Sequence, residues 1–443
     1  MFQSATAPLR FAVPTPLPLE VDFLGGRLTS DGGLAWLQEA DRVLGLCATL
    51  AAQIPDWRRR RGRHDLATLV TQRIYQIACG YEDQDDADAL RTDPLLKLVC
   101  GRLPETDPDL ASQPTLSRLE TSVSATTCYR LAVALGQVYL RERERDGAPT
   151  RIVLDLDGTA DPTHGNQEGT AYHGYFRQHQ YFPLLVFDAD TGHLVTAVLR
   201  RGTVHASHGI VAILQRIVAA LRGRWPGVVI EVRADSGFAV PALYEYCEAE
   251  DIAYTIGLVP NARLEALAAP LLTVACRQRD ESGAEKVRLI GEASYQAGSW
   301  PEPRRVIIKA EALPKGPNTR FVVTTRTDPA EAVYTWYTDR GAAEGWIKDL
   351  KDACHADRLS CHRFCANQFR LLLHAAAYWL LDTLRRWLTA AGRARVQLDT
   401  LRLRLVKVGG WVRQQRDRVR LRLASSHPSE DLWRLLATRP DRS

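Results

Sequence analysis

The sequence predicts an α/β core flanked by a mostly helical N-terminal region and a basic C-terminal segment, with a β-rich insertion dividing the core. Three observations carry this reading. Residues 1–148 hold helical patterns bounded by caps and stops. A strict alternation over 151–157 then opens a series of three strands, helix, strand, helix, strand. A charged helical pattern from Tyr337 to Lys351 resumes the core after short alternating runs within 261–333. With 443 residues, the chain is expected to form two or three domains.

The elements follow in order. After a short extended start over 17–28, Ser30 and Asp31 cap a predicted helix that ends at Leu44. Asp65 caps a second through Cys79, and Gly80 is its stop signal. Helical segments are also expected over 114–120 and 128–145, before Gly147 and Pro149. In the first strand Ile152, Leu154 and Leu156 take one face, while Val153, Asp155 and Asp157 take the other. Strands over 182–187 and 193–199 flank Asp188-Ala-Asp-Thr-Gly192, a hairpin signal. A helix over 207–221, a strand over 228–233, a helix over 240–249 and a strand over 253–258 complete the series. An antiparallel start followed by helix-linked parallel strands is the RNase H-like order, so 149–260 and 334–366 are read as an RNase H-like core.

The insertion, 261–333, is expected to be a small antiparallel unit with strands over 272–277, 286–294, 304–310 and 321–327 and no helix. Residues 367–443 are read as an apolar helix over 369–388 and a basic hairpin. In that hairpin Leu401-Arg-Leu-Arg-Leu405 and Val419-Arg-Leu-Arg-Leu423 alternate arginine with aliphatic residues around Gly409-Gly410.

Bulk properties narrow the function. The composition, 45% hydrophobic and 25% charged, is that of an ordinary globular chain able to bury large cores. No run of eighteen apolar residues occurs, so no membrane partner is expected and a cytoplasmic, nucleoid-associated location is. Nine scattered cysteines do not read as a disulfide framework, and Cys354-His355, Cys361-His362 and Cys365 match no common zinc spacing. The net charge is only +5, but from Arg385 to Arg442 fourteen arginines and one lysine face five acidic residues. A second basic knot spans 58–63. Basic clusters on a roughly neutral body fit a polyanionic partner, for which phosphate backbone is the usual candidate.

The segment from Tyr337 to Lys351 is the most informative. On a helical wheel with Arg340 at 0°, Lys351 falls near 20°, Glu344 near 40°, Tyr337 near 60° and Lys348 near 80°, at about 100° per residue. Ala343, Trp346, Ile347, Leu350 and Cys354 take the neighbouring face, where Trp346 is read as packing. A carboxylate between cations on the shoulder of a buried helix suits a metal ion held beside a phosphate. Two further carboxylates sit where open sheets bind ligands, beyond the carboxyl ends of strands: Asp157, and Asp235 in Arg233-Ala-Asp-Ser-Gly237. Asp155 shares a face with Asp157 and is its rival; the strand-end position and the Asp-x-Thr it begins favour Asp157. Two hard divalent cations about 4 Å apart serve in-line phosphodiester displacement, and they take oxygen ligands. His164, His173 and His179 crowd the loop after the first strand without metal-ligand spacing and stand as loop or substrate-contact candidates.

These residues resemble a family. Tyr337, Arg340, Glu344 and Lys351 reproduce the Y-x2-R-x3-E-x6-K signature of bacterial insertion-sequence DDE transposases, DDE domain group 1. Asp157 and Asp235 look like that family's two aspartates, 78 residues apart, with 109 more to Glu344, room for the β-rich insertion typical of the group. Gly80-Tyr-Glu-Asp, the stretch from Ser112 to Glu120 and Asp161-Pro-Thr-His-Gly165 extend the likeness over nearly the whole chain. The resemblance implies a metal-dependent transposase. Asp157, Asp235 and Glu344 would bind two Mg²⁺, with Mn²⁺ able to substitute, and Tyr337, Arg340 and Lys351 would handle the DNA end. Lys348, on the same stripe, is grouped with them. Double-stranded DNA is the implied partner, both the element's inverted-repeat ends and the target, with a homodimer at synapsis. Residues 1–148, and an array of Arg402, Arg404, Arg420 and Arg422, would add grip on DNA. A domesticated or inactive DNA-binding derivative, or an RNase H-like nuclease that only hydrolyses, would share most of these features.

Overall fold

The computed structural model describes residues 8–439 apart from 12, 15, 16, 18, 59–61 and 146. Most of the basic knot expected at 58–63 therefore lies outside the described residues. The chain divides into two compact units, one of residues 44–59 and 118–379, the other of residues 1–43, 60–117 and 380–443. The boundaries expected at 148 and 367 do not coincide with this division.

The first unit is built on an eight-stranded mixed sheet. Its strands are β1 (Arg151–Gly158), β2 (Leu184–Asp188), β3 (His193–Val198), β4 (Val229–Ala234), β5 (Ala253–Leu258), β6 (Val287–Tyr295), β7 (Arg304–Leu313) and β8 (Gly316–Thr324). They lie in the order β6-β7-β8-β5-β4-β1-β2-β3. β1, β4 and β5 run parallel, with Arg233 opposite Asp155 and Ala234 opposite Leu156. β2 and β3 add antiparallel at one side. The parallel centre buries both faces, which is why Ile152, Val153, Leu154 and Asp155 are all at most 1% exposed. Helices α1 (Ala125–Arg143), α2 (Ile210–Arg224) and α3 (Pro241–Ala249) accompany these strands.

Two expectations for the insertion are corrected. Residues 272–277 are not a strand but part of a helix, α4 (Ala262–Ser282). The cap is Asn261, whose side chain accepts from the Arg263 and Leu264 amides, and Gly283 at φ 66° ends it. Leu264, Ala268 and Ala275 recur at helical spacing and are buried. The strands β6–β8 are no separate unit either. β8 pairs antiparallel with β5, so they extend the same sheet.

The charged segment is also not one helix. α5 (Ala330–Thr338) and α6 (Gly341–Asp352) are separated by a turn at Asp339 and Arg340. The wheel drawn from Tyr337 to Lys351 therefore holds only from Arg340 onward. Trp346 seats α6 on the sheet: it is buried, 5.4 Å from the Phe187 ring by centroids. Beneath it Gly192 adopts φ +71°, and a Cβ there would lie 2.7 Å from the indole. The first part of α7 (Phe364–Ala390) completes the unit.

In the second unit, the two ends of the chain are interleaved. Leu28 and Thr29 pair antiparallel with Trp411 and Gly410, making a third strand beside the hairpin β9 (Gly410–Gln414) and β10 (Val419–Leu423). Gly33 sits so close to the Leu405 carbonyl that any Cβ would collide with it. Lys407 bonds Asp31 at 2.8 Å, and Trp36 meets Trp433 edge-on at 5.6 Å. The helix Leu66–Ala78 begins where expected, with the Asp65 carboxylate accepting from the Thr68 amide at 2.6 Å.

The basic hairpin is corrected in register. Residues 401–405 are not its first strand. Leu398–Leu401 is helical and continues into a wider turn, Arg402–Val406. Leu401 and Leu405 are buried, while Leu403 between them is 65% exposed, a spacing of four rather than two. Arg402 bonds Asp399 at 2.7 Å and packs over Gly80, so it does not join an outward array. In the hairpin itself Trp411 faces Arg422 and Arg413 faces Arg420, placing Trp411, Arg413, Arg420 and Arg422 on one face.

Candidate active site

β1 and β4 run side by side and end together, so Asp157 and Asp235 emerge at the same edge of the sheet. α6 supplies the opposite wall. Asp157, Asp235, Arg340, Glu344, Lys348 and Lys351 line one cavity of about 520 Å³, together with Gly158 and Thr159. Thus all three predicted carboxylates and three of the four predicted cavity cations or rings come together.

Asp157 is well enclosed, with 14% of its side chain exposed. Burial pushes its carboxyl up to about 6; the Arg340 guanidinium, 3.6 Å away, opposes this, and the charges of Asp235 and Glu344 add to it. Asp235 also shapes the backbone around it. Its Oδ1 accepts the Gly237 amide at 2.8 Å, capping the short turn Ser236–Phe238. Glu344 stands exposed in the first turn of α6.

The rival, Asp155, is buried in the sheet and committed elsewhere. Both its oxygens accept from Arg233, at 2.7 and 2.8 Å. The third arm of Arg233 donates to the Trp336 carbonyl at 2.8 Å, and the Trp336 ring lies between Arg233 and Arg326 at 4.8 and 4.5 Å. Asp155 thus anchors α5 to the sheet and fixes where the following turn presents Arg340.

Two predicted cavity residues do more structural work than the stripe implied. Tyr337 is not on the cavity wall. It packs over Gly257, where a Cβ would come within 2.6 Å of the phenol oxygen and 3.1 Å of the Ser236 amide; burial raises its phenol. Its ring lies 5.9 Å from the Arg340 guanidinium. The Lys351 ammonium donates to the Ala160 carbonyl at 2.6 Å and pairs with Asp161 at 3.1 Å. Burial pushes Asp161 up to about 7, against the pull of Lys351. Asp161 and Arg233 were not singled out as site residues. Arg233 could have been found, since it shares a strand face with Asp235 and a parallel neighbour would set it opposite Asp155. Asp161 carried only the signal of an acid soon after a strand end.

Among the described residues no three His, Cys, Asp or Glu side chains approach closely enough to hold a metal ion as they stand, and the residues from Cys354 to Cys365 form no such group. The donor chemistry of the cavity nevertheless fits a hard divalent cation. Its candidate ligands are carboxylate oxygens, with no His or Cys in the lining, and the burial and neighbouring carboxylates that raise Asp157 disfavour a charge that a bound cation would stabilise. His164, His173 and His179 do not line this cavity.

The arrangement defines an α/β protein with an acidic cavity at its strand ends and cations on the facing helix. The sequence model of the family Transposase DDE domain group 1 matches residues 13–442. The chain belongs to that family. Among solved structures, the cryo-EM structure of a piggyBac transposase synaptic complex with hairpin DNA is similar, with a TM-score of 0.45 and 12% identity, covering 86% of this chain and 80% of that one. No curated protein matches the chain in sequence. Among the described residues no helix is long and apolar enough to cross a membrane.

Proposed function

We propose that this DDE transposase cleaves DNA at the inverted-repeat ends of its element and joins the freed 3′-hydroxyl ends to target DNA, both at the cavity of Asp157, Asp235 and Glu344. The observation that carries it is the convergence of these carboxylates from β1, β4 and α6 on one cavity shared with Arg340, Lys348 and Lys351. The strand order β3-β2-β1-β4-β5 with parallel β1, β4 and β5 supports an RNase H-like core.

Asp157, Asp235 and Glu344 would hold Mg²⁺ or Mn²⁺. Bound divalent ions supply activation of the nucleophile and stabilisation of the leaving oxygen in an in-line displacement. Arg340 and Lys348 hold the non-bridging oxygens of the scissile phosphate, Arg340 being able to do so with two parallel donors. In the first step a water oxygen bonds to phosphorus and the bond to the 3′ oxygen breaks, leaving a 3′-hydroxyl and a 5′-phosphate. In the second step that hydroxyl attacks a target phosphodiester, loses its proton and displaces another 3′ oxygen. Tyr337 and the Asp155–Arg233 pair set the position of Arg340 rather than touch the phosphate. Lys351 buttresses the wall through Asp161 and reaches phosphate only by leaving that pair. Residues of the chain termini and the arginines of the hairpin grip the flanking duplex, and two copies hold the two ends.

The test is incubation of the full chain with an end-containing duplex and a target plasmid in Mg²⁺. Cleaved ends and joined products are expected, and both vanish with Asp157→Asn. Cut ends without joined products would reduce the reading to a hydrolytic nuclease. Binding without cutting would leave a DNA-binding derivative.

A further inference from the structure

Between β1 and β2 the chain makes a small sheet of its own, in which Gln178–Tyr181 pairs with both Asp161–Pro162 and Ala171–His173. Its tip is a tight turn: the Arg177 amide donates to the His173 carbonyl at 2.8 Å, and Arg177 holds φ 54°. The tip carries rings outward. Tyr175 is 85% exposed, Tyr172 55% and Phe176 40%. Turns of this kind ordinarily carry small polar residues, because an exposed ring gains nothing from water.

The rings connect to the cavity without a gap. Gly158, which lines the cavity, lies against Phe182, where a Cβ would be 2.8 Å from the ring. Phe182 stacks on His173 at 6.1 Å, His173 meets Phe176 at 5.0 Å, and Phe176 meets Tyr175 edge-on at 5.0 Å. A ladder of aromatic faces therefore leads from the carboxylate cavity to the solvent-exposed tip.

Composition selects the occupant. From Ala171 to Phe182 there is no Asp or Glu and no Leu, Ile, Val or Met; the segment offers tyrosine, phenylalanine, histidine, glutamine and Arg177. With no carboxylate to repel a phosphate backbone, and beside a cavity read as a phosphodiester site, the segment offers what unpaired nucleobases ask for, ring faces and a cation for the backbone. We propose that Tyr175 and Phe176 form a stacking platform for unpaired bases of the DNA strand whose phosphate enters the cavity. This rests on the cavity being a phosphodiester site. The base next to the cut leaves its stack and lies on these rings, which holds the strand in line while it is severed. Stacking on rings does not read sequence, so the platform serves any end whose bases are unpaired.

The experiment uses the full chain without divalent ions, so that binding is scored apart from cleavage. The probes are fluorescein-labelled oligothymidylate and a fully paired duplex of the same length. The double variant Tyr175→Ala/Phe176→Ala should bind oligothymidylate about tenfold or more weakly, with duplex affinity unchanged. Tyr175→Phe/Phe176→Tyr should bind both probes as the native chain does. Tyr175→Ala alone removes only an exposed ring and gives the same discrimination if the double variant misfolds. A 2-aminopurine in the single strand should be quenched by the native chain and not by the alanine variants. Native-like binding of oligothymidylate by these variants, or equal losses on both probes, would overturn the platform. So would a change in sedimentation, which would make the tip a contact between copies of the chain. Because no cleavage is involved, loss of the platform and loss of the Asp157 chemistry are read separately.

Discussion

The strand-end cavity and the C-terminal hairpin both bear arginines, and they hold them in opposite ways. In and around the cavity the arginines and Lys351 have assigned neighbours: Arg340 stands 3.6 Å from Asp157, Lys351 is bound to buried Asp161, and behind the wall Arg233 is bonded twice to Asp155. In the hairpin, Arg413 and Arg420 are direct cross-strand partners, and Arg413 and Arg422 lie over the Trp411 ring at 5.7 and 5.5 Å. Three exposed like charges share that face. Buried, paired charges act through position, and losing one strands its partner in a poor solvent. Exposed like charges repel at a small cost in water and act together on any polyanion.

This contrast breaks first, if it is wrong, at the cavity acids. Asp157→Asn, Asp235→Asn and Glu344→Gln should each lower cleavage of an end-containing duplex by about three orders of magnitude or more, with duplex binding retained. Cutting at near-native rates by any one of them removes that residue from the site.

Asp155→Ala separates the two acids of one strand face. It leaves Arg233 charged and unpaired in the sheet, so chemical denaturation should report a loss of about 3–5 kcal/mol. Asp157→Asn should show no loss of that kind. If Asp155→Ala were as stable as the native chain, the anchoring of α5 through Arg233 would be wrong.

The pH dependence of stability gives a smaller effect. In the fold Asp157 titrates near 6, above its unfolded value, so the folded chain holds this proton more tightly. The stability this contributes is present below about pH 4 and lost as pH rises through about 6. Asp157→Asn keeps a neutral side chain. In the absence of divalent ions its stability relative to the native chain should rise between pH 4 and 6 by at most about 3 kcal/mol, then level off. Thermal unfolding across that range checks it, and a flat difference would place Asp157 in a more watery setting.

The hairpin sharpens the other side. Arg413→Gln/Arg420→Gln/Arg422→Gln should flatten log K against log salt by about two to three, since each phosphate contact contributes about 0.9. Arg402→Gln should leave that slope unchanged, because its guanidinium is held by Asp399. Preference for specific ends should survive the triple change, as backbone contacts position without reading sequence. An unchanged slope would make this face a solubilising surface.

The sheet unit was far more legible than the terminal one, for a physical reason. In β1, β4 and β5 the strand pattern is local, and the strand-end rule pointed at Asp157 and Asp235 without knowledge of their neighbours. The pairs that hold the site in place were less visible, because Arg233 meets Asp155 and Lys351 meets Asp161 only once the topology is fixed. α4 was missed through a window of six residues; Asn261, Leu264, Ala268, Ala275 and Gly283, taken together, spell a capped helix. At residues 401–405, alternating Leu and Arg imitates a strand, while the buried pair Leu401 and Leu405 obeys a helical spacing. The break at Asp339 and Arg340 left Tyr337 outside the stripe its wheel position implied.

The pairing of Leu28 and Thr29 with Trp411 and Gly410 also sets a timetable for synthesis. At ribosomal speeds, the partner strand emerges roughly 380 residues later, about 20–80 s after the first. Through that interval every residue from 118 to 379 is made, so the strands and helices that frame the cavity are complete before the unit containing both termini can close. A message cut short before the codon for Gly410 thus yields a chain with Asp157, Asp235 and Glu344 but without the hairpin that Leu28 and Thr29 join. Growing chains pass through the same state until Gly410–Gln414 and Val419–Leu423 have emerged.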